Sequence, residues 1–333
     1  MTQPDPQELL MLLWRRAATQ QIHERTKAKA KRGAELRVWA LGVTRSLLDP
    51  ESSLALDDRD FVPEYAIGMV STTAVFPAMA AIDSLIAASE LIEGRDDSEG
   101  RPGSKMGHVV SLLTLCRQAT ESAARTIWLL SSPEREMRRN LSVRFSLSEL
   151  DAQKGFHQLQ RKWLGEGGGR NQPLSEHRNF DEHLRLFESR LDVLRHAQEG
   201  TRKVTVLGNN ALVEAAARWL DENPPRHEPH GPFGSEGFGF EEAAGSFYKV
   251  SSGIVHGLKW ATDFMPNGEL DLARMVVESV NNAVCMAECA VALFEAQAQD
   301  WHSNTERPHL YPELLQPTID QWADLYPVAQ AHG

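Results

Sequence analysis

Cysteine is scarce in this chain: Cys116, Cys285 and Cys289 are the only three in 333 residues. An odd count without regular spacing excludes a disulfide framework and points to reduced thiols in a cytoplasmic protein. Cys285 and Cys289 lie one helical turn apart in an apolar segment and read as small buried hydrophobes rather than a redox or metal pair. Positive charge is in deficit as well, with 35 Lys and Arg against 46 Asp and Glu and a net charge of -11. Proteins of duplex DNA draw their affinity from phosphate contacts and are usually basic, so that class is disfavoured, although a local basic patch is allowed. The N-terminus (MTQPDPQELLMLLWRRAATQQ) has no basic run ahead of its short apolar stretch, so no signal peptide is expected. No window reads as the ~18–20 apolar residues of a membrane span, and no membrane partner is expected.

Motifs of common chemistries are missing too. The one Glu-x-x-His is Glu306–His309, interrupted by Pro308, and His227-Glu228-Pro229-His230 lies in a Pro-rich loop. Neither has the helical geometry of a di-iron bundle. Glu188, Asp192 and His196 share a helical row with a single histidine, which reads as surface salt bridging. There is no Gly-x-Ser-x-Gly and no P-loop, and the glycines at 165–169 follow no strand. No metal and no cofactor are expected. β-like runs do not occur in series; residues 203–207 alone suggest a strand, and one strand has nothing to pair with.

What the chain does have is helical periodicity. Gln7–Lys31 reads as an amphipathic helix with a basic second half, Gly33 as a break, and Glu35–Leu48 as a second helix ended by Asp49-Pro50. Asp49–Asp60 reads as a linker. Tyr65–Ile92 is apolar and Ala-rich, with Pro77 expected to kink or split it, and Asp83 faces either a solvent edge or an Arg. Residues 93–105 are a loop by composition. Met106–Leu130 carries Val109, Leu112, Cys116, Ala119, Ala123, Ile127 and Leu130 at helical spacing, and is the expected central helix. Two helices follow, Glu134–Phe145 and Ser148–Trp163, the second opened by a capping-box-like Ser146-x-x-Glu149. After a Gly-rich loop at 166–173 come helices at Leu174–Glu199 and Ala211–Asp221, then a Pro/Gly loop at 226–239. Glu269–Gln299 is a long helix with Ala273, Val277, Val280, Val284, Ala287, Val291 and Phe294 as its stripe. The expectation is an all-α protein: an N-terminal helical arm and linker at 1–60, a bundle of long amphipathic helices at 61–300, and a Pro-broken tail at 301–333.

Polar chemistry and small residues coincide in Phe247–Trp260 (FYKVSSGIVHGLKW). Tyr248, Ser252 and His256 recur every four residues and would stack in one row of a helix. Gly253 and Gly257 form a second pair, as would suit the close approach of a backbone or a ligand. On the central helix, Arg117, Glu121 and Arg125 form a polar stripe at the same spacing. The bland alternatives stand beside these readings: His256 as a core histidine bonded to Glu121 or Ser252, and Arg117–Glu121–Arg125 as an intrahelical ion ladder.

The Arg117–Glu121 stretch (LCRQATESAARTIWLL) and the element formed by Tyr248, Ser251 or Ser252, His256 and Gly257 resemble uncharacterised actinobacterial helical proteins similar to the DUF5677 group, loosely related to the HEPN superfamily. The resemblance spans residues 65–300. It implies a helical protein of bacterial or phage conflict systems, acting on RNA or a nucleotide as a metal-independent RNase, with a second copy of the chain as a further partner. The alternative is a non-enzymatic scaffold or regulator that dimerises or binds a partner or small ligand. On the RNase reading, His256 moves the 2′-hydroxyl proton and Lys249, Arg117 and Glu121 complete the catalytic group, with Tyr248, Ser251, Ser252 and Arg125 binding substrate. Superfamily RNases carry Arg, four to six residues, then His. Seven residues before His256 stands Lys249, which supplies charge without a bidentate fork. The five Arg/His pairs with family spacing are close to chance for 26 Arg and 12 His, and Arg178-Asn179-x-x-x-His183 is nearest the family form.

Overall fold

The computed structural model describes residues 6–46, 48–94, 108–166, 172–199, 202, 204–232, 239–300 and 307–327. Its helices are α1 (Pro6–Ala34), α2 (Arg37–Gly42), α3 (Ser53–Asp58), α4 (Met69–Glu93), α5 (Val109–Leu130), α6 (Arg135–Glu166), α7 (Leu174–Glu199), α8 (Asn209–Glu222), α9 (Phe240–Val255), α10 (Glu269–Ala298) and α11 (Gln316–Ala323). No strand occurs among the described residues, and 204–208 run without regular structure, so the fold is all-α.

The bundle is organised on α10 and α5. The expected stripes are where the periodicity puts them: Leu112, Cys116, Ala119, Ala123 and Ile127 of α5 meet Val280, Val284, Ala287, Val291 and Phe294 of α10, all buried. Each such Val, Leu, Ile or Phe contributes about 1.5–3 kcal/mol by leaving water. From Ala283 to Ala298 every residue of α10 is buried, so its C-terminal half is a core helix rather than an amphipathic one. Cys285 and Cys289 are among them. α1 and α4 flank this pair. α1 ends at Ala34, at the break expected from Gly33, and a Cβ on that glycine would come within 2.7 Å of Val284, so it also lets α1 and α10 approach. Two helices, α4 and α10, are long and apolar enough to cross a membrane, contrary to the window reading above. Their apolar windows are 50% and 83% buried, as core positions require.

α4 runs on through Pro77. Proline withholds the N–H that would serve the Thr73 carbonyl, and on the next carbonyl, that of Ala74, the Thr126 hydroxyl of α5 donates at 2.7 Å and ties the two helices there. The N-terminus of α4 is capped from outside by Asp58, which accepts from Val70 N at 2.7 Å and Ser71 N at 3.2 Å. Asp83 is exposed, at a solvent edge. The segment read as a linker holds α3, capped by Ser52. Buried Asp57 there accepts from Arg138 Nε at 2.5 Å and Nη2 at 2.8 Å.

α6 is one unbroken helix, not the expected two. No Gly or Pro stands between 145 and 148. Ser148 Oγ donates back to the Phe145 carbonyl at 2.7 Å, and buried Ser146 packs beside Thr73 at 3.5 Å, so neither hydroxyl caps a new helix. α6 pairs with α7 as a long hairpin. Its base shares a second small core, with Met69, Val143, Leu150, Phe187, Leu191 and Leu194. The loop expected at 93–105 lies outside the described residues from 95 onward.

Candidate functional site

The two polar rows singled out in the sequence do face one another. Arg117 Nε donates to Glu121 Oε1 at 2.8 Å, and Arg117 Nη2 to the Tyr248 hydroxyl of α9 at 3.0 Å. The guanidinium lies over the Tyr248 ring, 4.7 Å from its centroid. Asn209, the first residue of α8, donates to Glu121 Oε2 at 3.1 Å and accepts from Arg125 Nη2 at 3.1 Å. Arg117, Glu121, Arg125 and Tyr248 therefore belong to one network tying α5, α8 and α9. Burial raises the Tyr248 pKa. Burial opposes the Arg117 charge, but its bonds to Glu121 and Tyr248 outweigh that and raise its pKa. Both Glu121 oxygens and the Tyr248 hydroxyl are engaged, and Glu121 is only 8% exposed. The network is a clamp between helices, with no acid or base held ready.

The remaining α9 residues do not join it. Ser251 is buried and its hydroxyl donates to the Tyr248 carbonyl at 3.2 Å. Ser252 is half-buried, and its carbonyl accepts from the His256 amide at 3.1 Å. Lys249 and His256 are exposed, and neither makes a side-chain hydrogen bond or ion pair among the described residues. The row of Tyr248, Ser252 and His256 fails at its third member because α9 ends at Val255. Gly257 turns left-handed at φ +68°, its amide donates to Ile254, and the Leu258 amide donates to Gly253. These are the two bonds of a Schellman cap, which sets His256 at the C-cap and accounts for Gly257. Gly253 accommodates the folded-back indole of Trp260, whose Cζ2 would lie 2.6 Å from an added Cβ. The glycine pair thus serves local turns of this chain rather than a docking notch.

A cleft of about 370 Å³ opens between α6 and α7. Leu184, Phe187 and Leu191 line it on α7, and Lys154, Arg161 and Arg195 bring positive charge. Glu188 and Asp192 add two carboxylates, the second 3.7 Å from Arg195. His157 of α6 also lines the cleft, 3% exposed and wedged edge-on against Phe187 at 4.7 Å. Its Nε2 lies 3.0 Å from Nε2 of exposed His183 on α7, and Gln153 Nε2 lies 3.4 and 3.5 Å from the same two atoms. Burial, then the neighbouring His183, lowers the His157 pKa. His157 Nδ1 is buried without a hydrogen-bond partner. Sequence inspection missed this pairing: His157 and His183 are 26 residues apart on two helices, and only the hairpin joins them. Of the Glu188, Asp192, His196 row, His196 pairs with Glu199 at 3.6 Å, in keeping with the salt-bridging reading.

A third polar cluster, with Glu288 buried and Arg32 and Glu228 part-exposed, pins α1 to α10. Arg32 of α1 grips Glu288 of α10 with two 2.6 Å bonds, and Arg32 and Lys29 reach Glu228 at 2.9 and 2.8 Å. The side chain of His227, in the loop after α8, is 1% exposed; its Nδ1 meets Thr318 Oγ1 at 2.8 Å and its Nε2 stands 3.6 Å from Glu288. Burial, then Arg32, lowers the His227 pKa to about 3. Glu228, Cys285 and Glu288 place ligand atoms within 4.8 Å of one another, as a metal site would. Arg32 and Lys29 already neutralise both carboxylates, and burial pushes the Cys285 thiol up to about 12, keeping it protonated. The cluster is a charge-compensated pin. Set against protein-family models, curated proteins and solved structures, the chain matches none.

Proposed function

We propose that the protein binds a phosphate-bearing ligand, a nucleotide or an RNA end, in the cleft between α6 and α7. The observation that supports this is the cleft's lining: Lys154, Arg161 and Arg195 stand beside Leu184, Phe187 and Leu191. Cations suit phosphate oxygens, and the apolar side suits a base or ribose. About 370 Å³ is near the lower end of ligand pockets, which favours one nucleotide over a longer strand inside the cleft. Calorimetric titration with nucleoside mono- and diphosphates in EDTA tests the reading. Arg161→Ala and Arg195→Ala should each weaken binding about tenfold, the worth of one charge-assisted bond. Saturable binding that ignores both substitutions, or none at millimolar ligand, would sink it.

A second reading, the HEPN-like RNase of a conflict system, draws on one observation in the same cleft. His183 ends the Arg178-Asn179-x-x-x-His183 spacing and meets His157, whose lowered proton affinity leaves it a base at neutral pH. Such a base takes the 2′-hydroxyl proton while a neighbouring cation meets the developing phosphorane charge. The assay is RNA cleavage in EDTA by wild type, His183→Ala and His256→Ala. Cleavage that ends in 2′,3′-cyclic phosphate and is lost with His183→Ala supports this reading. Loss with His256→Ala instead returns the chemistry to α9, and no cleavage of varied RNAs leaves a binding protein without nuclease activity.

A further inference from the structure

Gln153, His157 and His183 converge so that no neutral protonation state makes all three short contacts donor–acceptor pairs. A neutral imidazole has one N–H and one bare nitrogen. With both rings protonated on Nδ1, two Nε2 lone pairs face each other at 3.0 Å, and the His157 Nδ1–H is a buried donor with no acceptor. With His157 protonated on Nε2, that N–H satisfies His183, but the Gln153 amide 3.4 Å away then meets a donor with a donor. One of the three short contacts is unfavourable in either arrangement.

We propose that these three side chains form a binding site for a divalent transition-metal ion, with zinc as the leading occupant. A half-turn of the Gln153 amide brings Oε1 to the position of Nε2, so all three groups offer lone pairs. The separations of 3.0, 3.4 and 3.5 Å define a triangle of circumradius about 1.9 Å, so a point about 2.05 Å from each atom lies about 0.7 Å out of their plane. That is the metal–ligand length and the pyramidal offset of a tetrahedral site, with its fourth position left for water or a ligand oxygen. Gln153 and His157 come from successive turns of α6 and His183 from across the hairpin, so rigid helices hold the geometry. Phe187 and Phe180 pack edge-on against His157 and keep its ring in place. Two imidazoles and an amide suit zinc, copper, nickel or cobalt; magnesium and calcium need more oxygen ligands. Because His157 Nδ1 lacks the outer acceptor usual for zinc-bound histidines, affinity falls about 10–100-fold below a fully supported site. The metal then exchanges readily with chelators.

This inference stands on three atoms and not on phosphate binding, so its test uses no nucleotide. Tag-free protein, stripped with chelator and dialysed, is titrated with Co²⁺ while the visible d–d absorption is followed, and then with Zn²⁺ in competition. The expected result is one cobalt per chain with a tetrahedral band, displaced by zinc. His183→Ala removes an exposed ligand without opening the core and should weaken binding about 100-fold or more, and Gln153→Leu about tenfold. His196→Ala, on the same helix but outside the triangle, should leave binding unchanged. Absence of the band at millimolar cobalt, or a band that survives His183→Ala, overturns the site and leaves a hydrogen-bonded histidine pair.

Discussion

Replacing Arg32 with Met should destabilise the protein at neutral pH by leaving the buried Glu288 carboxylate without its partner. Glu288 is 1% exposed and takes both of its short bonds from Arg32. Removing one member of a buried pair typically costs about 3–5 kcal/mol. Arg32 retains 28% side-chain exposure, so water already shares its charge and the cost falls near about 3 kcal/mol. Glu228 keeps Lys29, and His227 stays neutral, so neither offers Glu288 a replacement. With an unfolding entropy of about 2 cal/mol/K per residue, 3 kcal/mol lowers Tm by about 4 °C. Burial raises the Glu288 pKa, so the carboxylate can take a proton on mild acidification, and the deficit should shrink at pH 5. The assay is thermal and urea unfolding of wild type, Arg32→Met, Glu288→Gln and the double variant at pH 7 and pH 5. The double variant should recover most of the single loss. A Tm change under about 1 °C, or a double variant no better than Arg32→Met, would refute the reasoning.

Three further outcomes follow from the same geometry. The His227 pKa falls from 6.5 to about 3 on folding, so between those values only the unfolded chain binds that proton. Its stabilisation is complete above pH 6.5 and is lost on acidification, by about 1.4 kcal/mol per pH unit. Glu288, raised on folding, slopes the other way, so the contribution is read as the pH 7-to-5 difference between wild type and His227→Asn; equal slopes would contradict it. Gly257→Ala places a side chain at φ +68° and should cost about 1 kcal/mol in urea unfolding, and a neutral result would mean that the Schellman turn does not hold in solution. Tyr248→Phe deprives Arg117 of an acceptor and should cost about 1 kcal/mol while leaving ligand binding in the α6–α7 cleft unchanged; an unaltered Tm with altered binding would give the clamp a functional role.

The core helices were legible because the 3.6-residue period of α5 and α10 survives in the packed structure: residues such as Cys116, Ala123, Val284 and Val291 are buried where the spacing places them. Contacts across helices were only half legible. Arg117–Glu121 and Tyr248 could be seen as rows, but Asn209, which joins Glu121 to Arg125, carried no signal of its own beyond being a polar residue at a helix start. The reading of His256 required α9 to continue past Gly257, and the two amide bonds of the Schellman turn stop it. Ser146 and Ser148 imitated a helix start because their hydroxyls suit a cap equally well, and only their observed partners decide the matter. His227 and Glu228 stood in a Pro-rich loop with no spacing to link them to Glu288, which was not singled out; Arg32, from a distant part of the chain, joins the two carboxylates, and His227 lies beside Glu288.

The continuity of α6 has a mechanical consequence. Arg138, locked onto Asp57 at the base of the hairpin, and His157, in the cleft, belong to one continuous helix with no proline between them. Nineteen residues at 1.5 Å each set them about 28 Å apart. At the foot of that helix Arg138 also lies over the Tyr326 ring, 5.4 Å from its centroid. A change in the angle between α6 and α7 at the cleft would therefore bear on the Asp57 anchor and on the Tyr326 contact, which sit on the other end of the same helix.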